Sequence, residues 1–181
     1  MFIWKLSILR GDEMSTENKS NTPAEIKDCW QTPKFVVDFY DKRFGFEWDL
    51  AASKGNHLFK SYCSEGDNSA FDQCNRGFDG PVFCNPPYSN IKPWVELCVE
   101  ISKLSVVPVV MLIPADTSVK WFKLAFENCT ECHFISGRLA FINADTQKPV
   151  CGNNKGSVVF IFDPKSPVKK SVHLLDRDSM K

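Results

Sequence analysis

Apolar residues recur at helical spacing after Thr32-Pro33, with Val36, Val37, Phe39, Tyr40 and Phe44 on one side of the helix they predict. Thr32 is a good N-cap type, Pro33 fits a first turn where its missing N–H costs nothing, and Gly45 is a natural C-terminal stop. A strand follows at 46–51. Residues 52–80 lack a strong period and carry Gly55, Gly66, Gly77 and Gly80, so they read as loop with short helical pieces. Val82-Phe83-Cys84 is a short apolar strand that Asn85-Pro86-Pro87-Tyr88 breaks abruptly. A second helix runs from Pro93 to about Lys103. The continuous apolar, β-branched run at 106–113 has the pattern of a strand covered on both faces. Asp116 or Thr117 is expected to cap a third helix through Asn128, with Val119, Phe122, Leu124 and Phe126 among its apolar positions. Strands follow at 132–135, 138–142 and 157–162, and the polar stretch after Asp163, with Pro164 and Pro167, reads as loose.

Helix–strand alternation followed by strands without helices predicts an α/β fold. The expected form is an open, doubly wound, mostly parallel sheet with an antiparallel far edge. The expected domain is 28–163, with a disordered segment at 1–27 and a flexible tail at 164–181. Met14 precedes an ordinary polar start, which makes 1–13 an expected upstream extension from a mis-called start codon. The chain has 181 residues, 43% apolar and 13% aromatic, enough for one packed domain and too much aromatic surface for a disordered chain. Its 22 basic and 22 acidic residues exclude a polybasic nucleic-acid binder as a description of the whole chain. Eight cysteines without a regular framework or a secretory signal read as free thiols in a reducing cytoplasm. The N-terminal apolar run is interrupted by Lys5 and is too short to span a membrane.

The chemistry concentrates at Asn85-Pro86-Pro87-Tyr88. In an open parallel sheet, sites form beyond the carboxyl ends of strands, so this loop is expected at the mouth of a crevice. Two prolines stiffen it and leave carbonyl oxygens as its backbone groups. The Asn85 side-chain oxygen and the Pro86 carbonyl can accept both N–H groups of a planar exocyclic amine. Such a nitrogen is a poor nucleophile because its lone pair is delocalised into the ring, and these two acceptors direct the lone pair out of the plane. Tyr88 offers a ring for stacking, worth about 1–3 kcal/mol per base. A duplex base must be extruded to reach such a loop, and most of the rate gain comes from positioning. A rigid turn or a proline-rich adaptor ligand is the plainer reading of Pro-Pro-Tyr.

Asn85-Pro86-Pro87-Tyr88 after a short strand resembles the signature of S-adenosylmethionine-dependent amino-methyltransferases. Trp30-Gln31-Thr32-Pro33, Trp48-Asp49-Leu50-Ala51-Ala52, the loop 85–89 and Gly137-Arg138-Leu139-Ala140-Phe141 follow in an order that resembles the small phage-type DNA N6-adenine methyltransferases of the Dam family. The resemblance covers about residues 29–162. It implies a Rossmann-like methyltransferase fold and methyl transfer from S-adenosylmethionine to adenine N6 in double-stranded DNA, in a bacterial or phage-infected cytoplasm. It implies a catalytic loop of Asn85, Pro86, Pro87 and Tyr88. Trp30, Thr32, Pro33, Asp49 and Ala51 are implied at the cofactor, with Asp67, and after it Asp72, as the acidic residue that helps hold it. The chain departs from the broader superfamily after its first strand, where Ala51-Ala52-Ser53-Lys54-Gly55 stands in place of a glycine-rich turn.

The same loop also suits amino-methyltransferases of RNA, of cytosine N4 or of protein glutamine. A non-catalytic DNA-binding relic of the fold is a further reading. Residues 137–170 carry a modest basic excess, making Arg138, Lys148 and Lys155 candidate DNA contacts. Cys129-Thr130-Glu131-Cys132-His133 matches a haem-attachment pattern and half of a zinc site, but no second close cysteine pair completes four ligands. The plainer reading of these cysteines is thiols without a ligand, and no metal is expected. The chain has no Pro-Cys dipeptide, phosphate loop or Gly-x-Ser-x-Gly elbow.

Overall fold

The structure, a computed structural model, describes residues 30–64, 69–143, 146–150 and 155–181. The segment 1–27, with its late-start reading, and Asp67 lie outside the described residues. In chain order the elements are β1 (Trp30–Gln31), α1 (Lys34–Phe44), β2 (Trp48–Asp49), β3 (Ser61–Tyr62), α2 (Ala70–Arg76), β4 (Val82–Cys84) and α3 (Lys92–Leu104). Then come β5 (Val109–Pro114), α4 (Lys120–Asn128), β6 (Glu131–Ser136), β7 (Ile142–Asn143), β8 (Ser157–Phe162), β9 (Ser171–Asp176) and a short 3-10 helix, Arg177–Met180. No helix among the described residues is long and apolar enough to cross a membrane.

The main sheet has the order β3-β2-β4-β5-β8-β6-β9. Its pairings are parallel except those of β8, which runs against both β5 and β6. The antiparallel part is thus a single strand inside the sheet, and the edge strand β9 runs parallel to β6. This is a mixed α/β architecture with a mostly parallel central sheet, consistent with a Rossmann-like methyltransferase fold. Alternate residues feed two apolar layers. Phe83, Val110, Leu112, Val159 and Ile161 pack with Val36, Val37 and Tyr40 of α1. Val82, Cys84, Met111 and Phe160 pack on the other side with Val95, Ile101 and Phe122, from α3 and α4. Burial on both faces explains why β5 and β8 are apolar along nearly their whole length.

Gly45 ends α1 in the left-handed region, φ 63°, where a side chain would be strained. Other boundaries differ from the sequence reading. Pro33, not Thr32, occupies the N-cap position of α1, and no side chain caps that helix. α4 begins at Lys120 rather than at Asp116 or Thr117, because Asp116 instead accepts bonds from Ser118 within the preceding turn. The strand expected at 138–142 shrinks to Ile142–Asn143 and leaves the main sheet to pair antiparallel with β1. The stretch at 52–80 contains β3 and α2.

The tail reading of 164–181 is corrected: Ser171–Asp176 forms β9 in parallel register with all of β6, and Met180 is buried in the α1-side core. Its sequence looked like a tail because β9 is an edge strand whose Val172 and Leu174 stay exposed, which removes the alternation that marks a half-buried strand. Met180→Ala should cost about 2–4 kcal/mol, the usual range for emptying a buried methionine site. Leu174→Ala, at a position 74% exposed, should change stability by less than about 0.5 kcal/mol. Urea unfolding of both variants checks this, and equally small effects would show that the terminus does not dock.

Candidate active site

β2 and β4 lie side by side in parallel, with Asp49 level with Phe83. The Leu50 N–H bonds the Phe83 carbonyl at 2.8 Å. Beyond that bond the two chains diverge. β2 crosses to β3 on one side of the sheet, whereas β4 leads to β5 on the other. This is a topological switch point, where an open α/β sheet leaves a crevice at its carboxyl ends. The divergence brings Asp49-Leu50-Ala51 and Asn85-Pro86-Pro87-Tyr88, far apart in sequence, to one rim.

Pro86 is buried, while Asn85, Pro87 and Tyr88 are half-buried. The Asn85 amide Nδ2 donates to the Trp30 carbonyl at 3.1 Å, and its Oδ1 is enclosed without a partner. The described residues hold four such orphaned buried side-chain atoms: Trp30 Nε1, Thr32 Oγ1, Asn85 Oδ1 and Tyr88 Oη. All four belong to the Trp30-Gln31-Thr32-Pro33 and Asn85–Tyr88 motifs. Buried polar groups are normally paired, and an unpaired one costs about 1–3 kcal/mol. In two motifs joined by the Asn85–Trp30 bond, these four form a set of donors and acceptors suited to a polar ligand. Burial raises the Tyr88 phenol above its ordinary range and keeps it neutral. Thr32, freed from capping, is 3% exposed with its hydroxyl unspent.

Phe141 braces this arrangement, and the sequence reading gave it no role. Its ring stacks with Trp30 at 6.1 Å and meets Tyr88 in a T-shape at 6.0 Å. The fourth motif is therefore a support: Leu139 and Phe141 are buried, and Gly137 turns the chain after β6 at φ 88°. A Cβ at Gly137 would lie 3.3 Å from Arg177 Cβ, in addition to the strain of that φ. The signal available in sequence was the aromatic residue that closes the Gly137–Phe141 motif.

Asp49 is 4% exposed and accepts the Leu58 N–H at 3.0 Å. Burial pushes its carboxyl up to about 6, with the N–H groups of Leu58 and Ala51 pulling the other way. The turn after Ala51 is built without a special glycine. Asn56 Oδ1 accepts from the Ser53 N–H, and a Cβ at Gly55 would meet nothing within 4 Å. Gln31 Nε2 reaches the Asn56 carbonyl at 3.4 Å, tying β1 to this turn. Asp72 is committed elsewhere, exchanging hydrogen bonds with Ser69 at the start of α2.

Arg138, Lys148 and Lys155 are exposed. Arg138 follows the carboxyl end of β6, and Lys155 precedes the start of β8, which pairs with the last residue of β5. Lys148 lies in the turn after β7, whose Gln147 reaches Gln31 of β1. All three thus share the rim that carries the Asn85 loop. Lys155 is ion-paired with Asp116 at 2.9 Å, and bonds from Ser118 and then Lys155 hold the Asp116 carboxyl down at about 2.

Cys129 and Cys132 are buried free thiols, as are the other four described cysteines. Glu131, His133 and His173 stand close enough to share an ion, with β5 and β8 between them and β4. Glu131 and His133 are already engaged within the protein. Arg43 bonds both Glu131 oxygens, His133 Nε2 faces Glu131 Oε2 at 3.1 Å, and the Tyr40 hydroxyl meets His133 Nδ1 at 3.1 Å. Burial lowers the His133 pKa, so this network ties α1 to β6 through a neutral imidazole.

Comparison with known proteins converges on one family. The chain is 36% identical over 162 residues to a DNA N-6-adenine-methyltransferase of Escherichia phage T1, a match covering 79% of this chain. It spans just under two thirds, 66%, of that relative's own length. It is 34% identical over 152 residues to the DNA N-6-adenine-methyltransferase of Haemophilus phage HP1, covering 82% of this chain and 86% of the relative. Residues 19–181, which include β9 and the 3-10 helix, match the family described as DNA N-6-adenine-methyltransferase (Dam). The chain belongs to that family.

Proposed function

We propose that this chain transfers a methyl group from S-adenosylmethionine to the N6 amino group of adenine in double-stranded DNA, with the extruded base held by the loop 85–88. The observation that carries the reading is the set of orphaned buried polar atoms at the switch point. Asn85 Oδ1 is the free acceptor that one N–H of an exocyclic amine needs, and the Pro86 carbonyl is the second. Accepting both N–H groups leaves the nitrogen lone pair free to turn out of the ring plane. Stiff placement by two prolines makes this largely a positioning effect.

The cofactor side fits the same pattern. Thr32 Oγ1 and Trp30 Nε1 are unspent donors, and Asp49 is a carboxylate held by backbone N–H groups on the same rim. S-adenosylmethionine, when bound, supplies an electrophilic methyl group on a sulfonium. Thr32 would donate to its carboxylate end, while Asp49 and Ala51 would line its pocket. Arg138, Lys148 and Lys155 give the rim a basic border for phosphate, with Lys155 weakened by its pair with Asp116.

Asn85→Ala should reduce methyl transfer by about 100- to 1,000-fold, the usual loss for one positioned hydrogen-bonding group, with saturable cofactor binding retained. Transfer of tritiated methyl followed by nucleoside analysis checks it. Label in RNA, in cytosine or in glutamine would move the substrate, and the absence of cofactor binding in the wild type would favour a non-catalytic relic.

Asp49 gives a pH dependence whose sign is fixed. Its folded carboxyl titrates at about 6, above the unfolded value, so ligand-free stability declines as pH rises from the ordinary carboxylate range through about 6. A cationic ligand favours the carboxylate, so cofactor affinity should rise over the same window, at most about tenfold per pH unit, and level off above it. Calorimetric titration should show the slope in wild type and lose it in Asp49→Asn. An unchanged slope in the variant would remove Asp49 from the cofactor site.

Lys148→Ala should lower the slope of log affinity for duplex DNA against log salt by about 0.9. Lys155→Ala should lower it by less, because its charge is already shared with Asp116. Equal slopes in wild type and both variants would clear this rim of DNA.

A further inference from the structure

The Asn85 amide has only one possible orientation, and the reason lies outside the loop. Its neighbour at 3.1 Å is the backbone carbonyl of Trp30, a group that can only accept. The amide NH2 must therefore face Trp30, which leaves Oδ1 on the other side, enclosed and unpaired. The carbonyl is itself held in place. Trp30 belongs to β1, which pairs in register with β7, Trp30 opposite Asn143 and Gln31 opposite Ile142. The Trp30 ring stacks on Phe141, and Gln31 is anchored to the Asn56 carbonyl.

Resting on the reading above, we propose that the Trp30 carbonyl is a positioning group that fixes which end of the Asn85 side chain meets the substrate amine, and that it makes asparagine obligatory at position 85. Aspartate has the same shape and offers the same acceptor to the amine. It also places a second acceptor against the Trp30 carbonyl, where two oxygens confront each other in a half-buried site. An ionised carboxyl there swings away or carries the loop with it. Once protonated, its O–H donates to the Trp30 carbonyl, and the remaining oxygen stands where Asn85 Oδ1 stood. The chemistry of the variant therefore depends on a proton that the wild type does not need.

The test is the ratio of variant to wild-type kcat across pH, on adenine-containing duplex DNA. Asn85→Asp should be at least about 100-fold slower than wild type near pH 8.5. The ratio should recover by up to about tenfold for each unit the pH falls, until the introduced carboxyl is protonated. Asn85→Ala should show a low ratio that does not change with pH. A flat ratio for Asn85→Asp, or activity within about twofold of wild type near pH 8.5, overturns the proposal. Thermal unfolding at each pH separates loss of the fold from loss of positioning. A second measurement needs neither activity nor a folded Asn85→Asp. In the wild-type 15N–1H spectrum, the Asn85 side-chain amide, assigned by its disappearance in Asn85→Ala, should have one N–H protected from solvent exchange. An Asn85 amide that exchanges like an exposed one rules out the Trp30 bond. If the wild type transfers no methyl to DNA but this proton is protected, the clamp stands and the substrate reading falls.

Discussion

The parallel pairing of β2 with β4 is the constraint on which the rest of the molecule depends. The Leu50 N–H to Phe83 carbonyl bond is the last tie before the two strands part. Its position decides which residues emerge at the rim, because a shift of one residue would turn each side chain to the opposite face of the sheet. Phe83 and Val110 anchor the register by facing α1, and Val82 and Cys84 anchor it from the other side. With both layers filled, the chain after Cys84 has no freedom to slip. Asn85 therefore begins the loop at a fixed point, and the prolines carry that definition outward.

The site that results is locally unfavourable. Three buried donors and one buried acceptor without partners represent a cost that an apolar core would not carry. Such groups persist where the surrounding structure over-determines them. Here the surroundings are the Trp30–Phe141–Tyr88 ring contacts and the short β1–β7 ribbon. The ribbon is too short to be stable alone. It is held by the aromatic packing at one end and by the Gln31 contacts with Asn56 and Gln147. Two motifs separated by more than a hundred positions, Trp30–Pro33 and Gly137–Phe141, thus form a single bracket around the loop.

Much of this was legible in the sequence because it depended on local pattern. The runs that became β5 and β8 are apolar on both faces, and Asn85-Pro86 ends a strand by removing its N–H donors. What was not legible depended on tertiary partners. Thr32 has the chemistry of an N-cap, yet Pro33 takes that position and the hydroxyl is left free. Asp116 is a cap type as well, but Ser118 and Lys155 claim it before a helix can. β9 could not be read from periodicity, since Val172 and Leu174 are exposed and its stability comes from pairing with β6. The role of Phe141 follows from which rings it touches, and no spacing rule reports that.

The absent glycine-rich turn illustrates how a departure from the pattern expected of the broader superfamily can be resolved physically. A glycine in such a turn serves to adopt a forbidden φ or to let another group approach closely. At Gly55 the backbone makes no such demand: its φ lies outside the left-handed region, and a Cβ there would meet no protein atom within 4 Å. The reversal of the chain is accomplished by Asn56, whose side chain accepts the Ser53 N–H while its backbone N–H and that of His57 bond the Ser53 carbonyl. A backbone turn closed on the Ser53 carbonyl and braced by the Asn56 side chain supplies the reversal without a glycine in the left-handed region. Because Gln31 also reaches this turn, the same few bonds shape the loop after β2 and steady the strand that presents the Trp30 carbonyl. The departure therefore relocates the source of rigidity, and Asp49 remains buried and bonded at the carboxyl end of β2.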